Sequence, residues 1–260
     1  NLFSRDPVSG AENWTYTDRL ILHPTVTVAD GRVIFLESRN TSALNGSSRI
    51  LPMASLAANN GIWMVALDLA TGNKLWEFQR SITGGTPCIY GSQGGGKYLV
   101  TGSNSTDGKY YLHAYDAATG TVSWSANHAW RTGHHAGHQQ HPVILNGLVY
   151  QEPKVYNLAT GALTATTMPT RNACSTFVGV KNGLIHRGDQ TTHYGRDGSQ
   201  YGGNISIWNP ATNTRSHWNR MRPSCWISTV PGDGCVLVQD GAAGCSCGPW
   251  YETTIALSPN

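Results

Sequence analysis

The sequence is poor in charge, and the charges it has are scattered. Charged residues make up 13% of the 260 residues, the net charge is +3, and no run of Lys or Arg stands out. Nucleic acids and anionic membranes bind proteins through clustered cations, so we do not expect either as a partner. No apolar run approaches the roughly 20 residues of a membrane helix, so we expect no membrane insertion.

The six cysteines lack the spacings that are typical of zinc or haem sites. Neither paired C-x-x-C segments nor a C-x-x-C-H segment occurs. Five of the six lie in the C-terminal third, and an even number suits an oxidising compartment, which predicts an extracellular or periplasmic location. The number of cysteines alone leaves every pairing open.

One segment, Ala114–Trp124, defines the organisation of the chain. It predicts a strand, a tight turn at Asp116–Gly120 and a returning strand that ends at Trp124. Gly120 would supply a positive φ, the Asp and Thr side chains can bond to the turn backbone, and Trp124 can fill space between packed sheets.

This motif recurs along the chain. Its Asp, Asn or Ser position falls 41 to 62 residues apart, at Asp6, Asp68, Asp116, Asn157, Asn209 and Ser258. Self-similarity at this length in strand-rich sequence is typical of the four-stranded antiparallel blades of a β-propeller. We therefore predict an all-β fold, a single β-propeller domain over residues 1–260.

The strands predict about five blades in this chain. The last blade lacks its outer strand, and residues 1–16 resemble an outer strand without a blade, so we predict that residues 11–15 pair beside residues 253–257 and close the ring. The chain does not begin with Met. A fragment of a larger exported protein, with further blades, is therefore the main alternative.

The motif A-x-D-x-x-T-G-x-x-x-W resembles the repeat of pyrroloquinoline-quinone-type (PQQ-like) β-propellers. The segments 222–231 (RPSCWISTVP) and 244–248 (GCSCG) resemble the last blade of PQQ-binding-like repeat proteins of planctomycete-type bacteria. The resemblance implies a propeller that forms part of a larger exported protein, a group in which most members have no assigned activity.

The sequence departs from the quinoprotein alcohol dehydrogenases of the same superfamily. Those enzymes hold their cofactor with two adjacent cysteines, a stacking Trp and a calcium ion, whereas this sequence has no adjacent cysteine pair and no calcium triad that can be placed. The resemblance therefore implies the fold, and PQQ is not expected as a cofactor.

The irregular segments are predicted to lie on one face of the blades. Turns of the Thr-Gly type join third and fourth strands, so the connections between second and third strands and between blades fall on the opposite face. That face would receive the insertion at 38–61, the segment 128–141, and the loops at 188–204 and 240–252. Acidic residues on these loops are scattered, which argues against paired-carboxylate chemistry of the glycosidase type.

The histidine-rich segment 131–141 is the sharpest candidate site on that face. Its imidazoles could bind a transition metal (Zn, Cu, Mn or Fe), or they could bond to loop backbone and line a wet channel. The candidate metal ligands are His134, His135, His138 and His141. Candidate contacts to another ligand on the same face are Trp226, Arg131 and Gln139.

Four cysteines on this face are candidates for disulfides. Two disulfides among them would staple the last two blades together and stabilise them. The four are Cys174, Cys225, Cys245 and Cys247. Cys88 and Cys235 are left to pair with each other or to stay free.

Three functions are consistent with the sequence. The favoured hypothesis is an exported binding module that contacts a protein or carbohydrate partner through its loop-bearing face, without PQQ catalysis. The alternatives are a metal-dependent lyase or hydrolase acting on saccharides through the segment His134–His141, and a quinoprotein-type oxidoreductase.

Overall fold

The structure, a computed structural model, consists of two compact units. Unit 1 comprises Asn1–Ala129 with Leu158–Gly161, and unit 2 comprises Trp130–Asn157 with Ala162–Asn260. The residues that the structure describes are 1–17, 19–46, 51–81, 88–131, 139–171, 175–188, 204–219, 221, 229–239 and 254–258. The single domain over residues 1–260 stays a prediction.

Unit 1 contains two sheets of at least four strands and one strand pair. The strands are β1 (Leu2–Arg5), β2 (Glu12–Tyr16), β3 (Leu20–Ile21), β4 (Thr27–Ala29), β5 (Arg32–Ser38), β6 (Ile62–Asp68), β7 (Lys74–Gln79), β8 (Cys88–Gly94), β9 (Lys97–Asn104), β10 (Lys109–Asp116) and β11 (Val122–Ala129). The sheet orders are β1-β2, β3-β5-β6-β7 with β4 also on β5, and β8-β9-β10-β11. All pairs are antiparallel.

Unit 2 repeats the same arrangement. Its strands are β12 (Val143–Leu145), β13 (Leu148–Gln151), β14 (Lys154–Asn157), β15 (Leu163–Thr167), β16 (Val178–Val180), β17 (Gly183–Arg187), β18 (Asn204–Asn209), β19 (Thr214–Asn219), β20 (Val230–Gly232), β21 (Cys235–Val238) and β22 (Ile255–Leu257). They form two four-stranded sheets, β12-β13-β14-β15 and β16-β17-β18-β19, and the three-stranded sheet β20-β21-β22. The prediction of an all-β chain built from four-stranded antiparallel sheets is confirmed.

The predicted ring closure stays a prediction. In the described residues β2 pairs with β1, and β22 pairs with β21. The sequence predicts one outer strand within residues 1–16, whereas the structure has two, β1 and β2.

The repeated turn has the predicted chemistry. The Asp116 carboxylate accepts hydrogen bonds from the main-chain N–H groups of Ala118 and Thr119, both at 3.0 Å, and from the Thr119 hydroxyl at 3.1 Å. Gly120 has a φ of +72°, a conformation that glycine adopts without a steric cost. The same bonds recur around Asp68 and Asp6.

Two-residue turns join first and second strands in both units. Asp30-Gly31 and Asn146-Gly147 have positive φ at both residues, as the two-residue turn that suits twisted strands requires. The stretch 20–29 does not form one continuous strand. A 3-10 turn at His23–Thr25 separates β3 from β4, because Pro24 has no N–H to donate to the ladder.

The insertion after β5 contains two short helices, which the sequence did not predict. They are α1 (Thr41–Leu44) and α2 (Met53–Ala57). The side chain of Asn40 caps α1 by accepting from the N–H of Ser42 at 3.3 Å. In the described part of the chain, no helix is long and apolar enough to cross a membrane.

Unit 1 buries both faces of the sheet that contains β5 and β6. Ile34 and Met64 belong to one apolar cluster, which also includes Tyr98 from β9. Phe35 and Val65 belong to a second cluster, which Trp14 of β2 covers. Alternate residues of a strand point to opposite faces, so burial on both sides explains why β5 and β6 are almost continuously apolar.

Unit 2 also has a cluster on each face of a sheet. The first contains Tyr150, Val155, Met168, Phe177, Leu184 and Trp208. The second contains Ile185, Ile205 and Val238. Leu184 and Ile185 are neighbours in β17, so their assignment to different clusters shows that this strand is covered on both sides.

Candidate functional site

The strand register decides which turns lie at the same end of a sheet. In the sheet β8–β11, Lys109 pairs with Asn104 and Ala129 at one end, whereas Asp116 pairs with Lys97 at the other. The turn that begins at Asp116 therefore lies opposite the connection between β9 and β10, as predicted. We call the end of a sheet that holds the turn between its second and third strands the loop-bearing end.

Most of the predicted site residues lie outside the described residues. This applies to the candidate metal ligands His134, His135 and His138 and to the candidate ligand contact Trp226. Within the described ranges, no group of three or more His, Cys, Asp or Glu side chains could hold a metal ion. The metal site stays a prediction.

The four disulfide candidates, Cys174, Cys225, Cys245 and Cys247, also lie outside the described residues. The other two cysteines are described. Cys88 and Cys235 are each half-buried and free. Burial is the largest cause that raises the pKa of the Cys88 thiol, which disfavours the thiolate and argues against a nucleophilic role.

Three residues of the histidine-rich segment are described at its C-terminal end, Gln139, Gln140 and His141. Gln139 is half-buried. The Nδ1 atom of His141 lies 3.3 Å from the main-chain oxygen of Pro142. Burial lowers the pKa of His141, so its imidazole is held in the neutral form that can act as an acceptor or a ligand.

Arg131, a predicted ligand contact, belongs to a charged cluster at the loop-bearing end of the sheet β12–β15. Its guanidinium donates to the hydroxyl of Thr170 and to the main-chain oxygen of Met168, the latter at 3.1 Å. Its Nε lies 3.6 Å from Glu152 Oε1. Glu152 follows β13 directly, and Met168 and Thr170 follow β15. Arg131, which precedes β12, therefore connects the chain before the sheet with the turn after β13 and with the chain after β15.

Arg171 completes this cluster. Its Nε donates to Glu152 Oε2 at 2.9 Å, and both side chains are buried. Burial is the largest influence on the pKa of Glu152 and raises it, against the opposing effect of Arg171 and Arg131. A buried carboxylate is stable only when such donors accompany it.

A ladder of amide side chains fixes the neighbouring backbone. Gln151 Nε2 donates to the main-chain oxygen of Gln140 at 2.9 Å, and Gln140 Nε2 donates to that of Ser175 at 3.0 Å. The Oγ atom of Ser175 accepts from the N–H of Arg187 at 3.2 Å. These bonds connect the end of the histidine-rich segment to β13 and β17, so this part of the loop-bearing end is held by the scaffold.

Sequence reasoning missed Glu152, Arg171 and the amide ladder. One signal was present, because Glu152 is a charged residue at the end of the apolar stretch Leu148–Tyr150, directly before a proline. A charge in that position is typical either of a solvent-exposed turn or of a buried side chain with an oppositely charged partner. The sequence does not distinguish the two.

A second candidate site lies in unit 1 and is a cleft of about 360 Å³. We call it the β2–β7 cleft, after the strands that bound it. Its lining residues are Tyr16, Thr17, Arg19, Arg39, Gly72, Asn73, Lys74 and Glu77. The sequence analysis did not identify it.

Alternating charges connect the walls of the β2–β7 cleft. Arg39 Nε donates to the buried Glu37 at 2.6 Å, and Arg39 Nη2 donates to Glu77. Lys74 Nζ lies 2.9 Å from Glu77, and Arg19 Nε lies 3.8 Å from Glu37. The result is a chain of five charges, three positive and two negative, that joins β5 to β7.

Tyr16 and Trp63 add neutral contacts to this chain of charges. The Tyr16 hydroxyl donates to Glu37 Oε2 at 2.8 Å. Burial, followed by this hydrogen bond, raises the pKa of Tyr16 to about 12. The Arg39 guanidinium lies over the ring of Trp63, 4.1 Å from its centre, a contact that favours a cation. Arg39 is therefore fixed on three sides.

Comparison with known proteins identifies the family. The model of the PQQ-repeat family described as outer membrane protein assembly factor BamB matches residues 1–151, which is more than half of the chain. The chain belongs to this family. The predicted PQQ-like repeat is thus confirmed, whereas the narrower likeness to planctomycete-type proteins stays a prediction. No curated protein matches the sequence.

Three solved structures are reported as similar to this PQQ-repeat chain. The WD40 domain of Pan2 from Neurospora crassa is 10% identical, with a TM-score of 0.50, over 92% of this chain and 62% of that one. BamB from Moraxella catarrhalis is 14% identical, with a TM-score of 0.48, over 92% and 64%. The quinohemoprotein alcohol dehydrogenase from Comamonas testosteroni is 16% identical, with a TM-score of 0.45, over 90% and 43%.

The chain spans less than two thirds of the length of each of these structures. The similarity to the Pan2 domain supports the β-propeller fold class and, at this identity, shows the fold alone.

Proposed function

We propose that this PQQ-repeat chain is an exported binding module that contacts a protein partner through the loop-bearing ends of its sheets, without PQQ catalysis. The extracellular space or the periplasm is its proposed location. A carbohydrate partner is the alternative outcome of the test below.

The observation that carries this proposal is the charged cluster around Glu152. Arg131 and Arg171 both contact this carboxylate, and Arg131 also holds Thr170 and Met168. The chain before and after the sheet β12–β15 is thereby fixed at its loop-bearing end. Loops that a scaffold holds in place lose little conformational freedom on binding, which favours recognition of a partner.

The family gives independent support for a protein partner. Its description names an assembly factor of the outer membrane, and a factor of that kind works by contacting other proteins. An assembly factor of the outer membrane also acts outside the cytoplasm, which agrees with the location that the number of cysteines predicts.

Pyrroloquinoline quinone does not fit the residues present. No two cysteines are adjacent anywhere in the sequence, so the vicinal pair of the quinoprotein dehydrogenases has no counterpart. At the loop-bearing end of the sheet β12–β15, the described residues place two arginines on one glutamate, which is not a ligand set for calcium. No step of the proposed function passes through this cofactor.

Site-specific photocrosslinking in the native cell envelope tests the proposal. A photoreactive phenylalanine analogue replaces Gln139 at the loop-bearing end or, as the control, Lys181 in the turn between β16 and β17, at the opposite end of its sheet. We expect a discrete crosslinked protein from position 139 and none from position 181.

Two results would contradict the proposal. Equal crosslinking from both positions would show that the loop-bearing end is not the contact surface. A crosslinked product that carries glycan and no second polypeptide would replace the protein partner with a carbohydrate. Thermal unfolding of both labelled proteins checks that the substitutions leave the fold intact.

A further inference from the structure

Two of the three cations of the β2–β7 cleft are more exposed than its carboxylates. The side chains of Lys74 and Arg19 are 50% and 39% exposed, whereas those of Glu77 and Glu37 are 25% and 0% exposed. A ligand that enters the cleft therefore meets the cations first. In a partly desolvated cleft this layering favours an anionic group over a cationic one.

The buried carboxylate does not cancel this outer charge. Glu37 is fully buried and accepts from two side chains that line the cleft, from Tyr16 at 2.8 Å and from Arg39 at 2.6 Å. Among the described residues the network carries three cations and two carboxylates. Asp18, next to Arg19 in the sequence, lies outside the described residues, so a variant at this position forms part of the test.

The walls of the cleft are edge strands. In the described part of the chain β7 pairs only with β6, and β2 pairs only with β1. The free edge of a strand offers main-chain donors and acceptors to an extended segment of another chain. The volume of 360 Å³ falls within the range of about 300–1,000 Å³ that is common for ligand sites.

We propose that the β2–β7 cleft is a docking site for an extended, acidic segment of a partner protein, with Arg19 and Lys74 binding its carboxylates. This inference goes beyond the function proposed above, because it assigns a ligand chemistry to a cleft that runs from the loop-bearing end of the sheet β3–β7, at Arg19 and Arg39, to the turn at Gly72. It does not depend on that function being correct.

Fluorescence anisotropy with defined peptides tests the docking site. The probe is a labelled peptide of alternating Ser and Glu with both termini blocked, and its counterpart has Gln in place of Glu. We expect the Glu peptide to bind the full chain at least about tenfold more tightly than the Gln peptide at low salt. We expect the difference to shrink towards about 0.5 M salt as exposed charges are screened.

Charge-removing variants locate the binding surface. Arg19→Gln and Lys74→Gln should each weaken binding of the Glu peptide by about three- to tenfold. Lys109→Gln removes an equally exposed cation from unit 1 at a position outside the cleft and should leave binding unchanged. Asp18→Asn removes a negative charge beside Arg19 and should strengthen binding.

Several results would overturn the inference. Equal binding of the Glu and Gln peptides, or no binding of either, would show that the ligand of the cleft is not an acidic segment. Wild-type affinity in a folded Arg19→Gln, Lys74→Gln double variant would show that the peptide does not bind in the cleft. Complete displacement of the peptide by inorganic phosphate at a matched concentration of anionic groups would indicate a site for small oxyanions and not for a peptide segment.

Discussion

The indole ring of Trp124 lies directly against Gly161. A Cβ atom placed on Gly161 would be only 2.6 Å from Cδ2 of Trp124, and Trp124 Nε1 donates to the main-chain oxygen of Leu158, three residues before this glycine, at 2.8 Å. The Trp of one motif copy therefore packs on the glycine of the next copy. The pair explains why the repeat needs both residues.

The same contact recurs between Trp14 and Gly72. A Cβ atom on Gly72 would be 2.6 Å from Cγ of Trp14, and Trp14 Nε1 donates to the main-chain oxygen of Leu69 at 2.9 Å. The third pair differs. Gly120 lies against Phe78 as well as Trp76, and Trp76 Nε1 is buried without a hydrogen-bond partner in the part of the chain that the structure describes.

Replacing Gly161 with Ala should destabilise the protein through two effects. Its φ of +73° costs an L-residue about 1–2 kcal/mol, and the overlap with Trp124 should add about 1–3 kcal/mol. Gly10→Ala is the matched control, because Gly10 occupies the same motif position with φ +73° but a Cβ there meets nothing within 4 Å. Urea unfolding measures both, and equal losses would refute the packing role of Trp124.

Replacing Trp124 with Phe should cost more than the same change at Trp76. Trp124→Phe removes the hydrogen bond to Leu158, worth about 0.5–1.5 kcal/mol, and leaves part of a buried ring volume empty. Trp76→Phe creates a similar gap but removes an indole N–H that is unpaired among the described residues. Thermal unfolding should show the larger loss at position 124, and a larger loss at position 76 would contradict this.

Arg39→Met should destabilise unit 1, because it removes a charged donor from the buried Glu37. Breaking a buried ion pair typically costs about 3–5 kcal/mol, and the remaining contacts of Glu37 with Tyr16 and Arg19 should reduce this to about 2–4 kcal/mol. Lys74→Met, at the exposed end of the same network, should cost no more than about 1 kcal/mol. Chemical unfolding compares the two, and similar losses would show that Glu37 does not depend on Arg39.

Asp116 should make the fold sensitive to acid. The pKa of Asp116 lies below its ordinary value, chiefly because the Thr119 N–H donates a hydrogen bond to the carboxylate. Burial opposes this shift, and the Thr119 hydroxyl and the Ala118 N–H add to it. A carboxyl group with a lowered pKa stabilises the fold above its unfolded pKa and loses this contribution as the pH falls through its folded pKa.

Asp116→Asn should therefore narrow the difference in stability between neutral and acidic pH. The measurement is the free energy of unfolding of both proteins from neutral pH down to about pH 2. The advantage of the wild type should vanish as the carboxyl group is protonated. A difference that does not change with pH would show that the turn does not favour the charged form.

Elemental analysis of the chelator-free protein tests the histidine-rich segment. The candidate ligands His134, His135 and His138 lie outside the described residues, so the structure does not test this site. The proposed binding module needs no metal, and on that proposal we expect no stoichiometric transition metal. The control is a His135→Ala, His138→Ala double variant, which should have the same metal content. One equivalent of metal in the wild type that is lost in this variant would instead favour the metal-dependent enzyme.

The sequence determined the local structure and the fold class. The motif turns at Asp68 and Asp116 form as predicted because an Asp side chain, a Thr and a Gly at fixed offsets complete the turn by themselves. Two-residue turns such as Asn146-Gly147 set the register of the strands beside them. Since the copies at Asp6, Asp68 and Asp116 form the same turn, the repeat by itself predicts hairpins and the four-stranded sheets built from them.

Only the tertiary structure decided which charges meet. Arg39 and Glu77 are 38 positions apart in the sequence, and Glu152 and Arg171 are 19 apart, so nothing local marks either pair. Their meeting depends on the register of β5 with β6 and of β6 with β7, and on the path of the chain after β15. A charged side chain is as stable in water as in a buried pair, and only the fold decides between the two. The candidate sites of this protein arise from that choice.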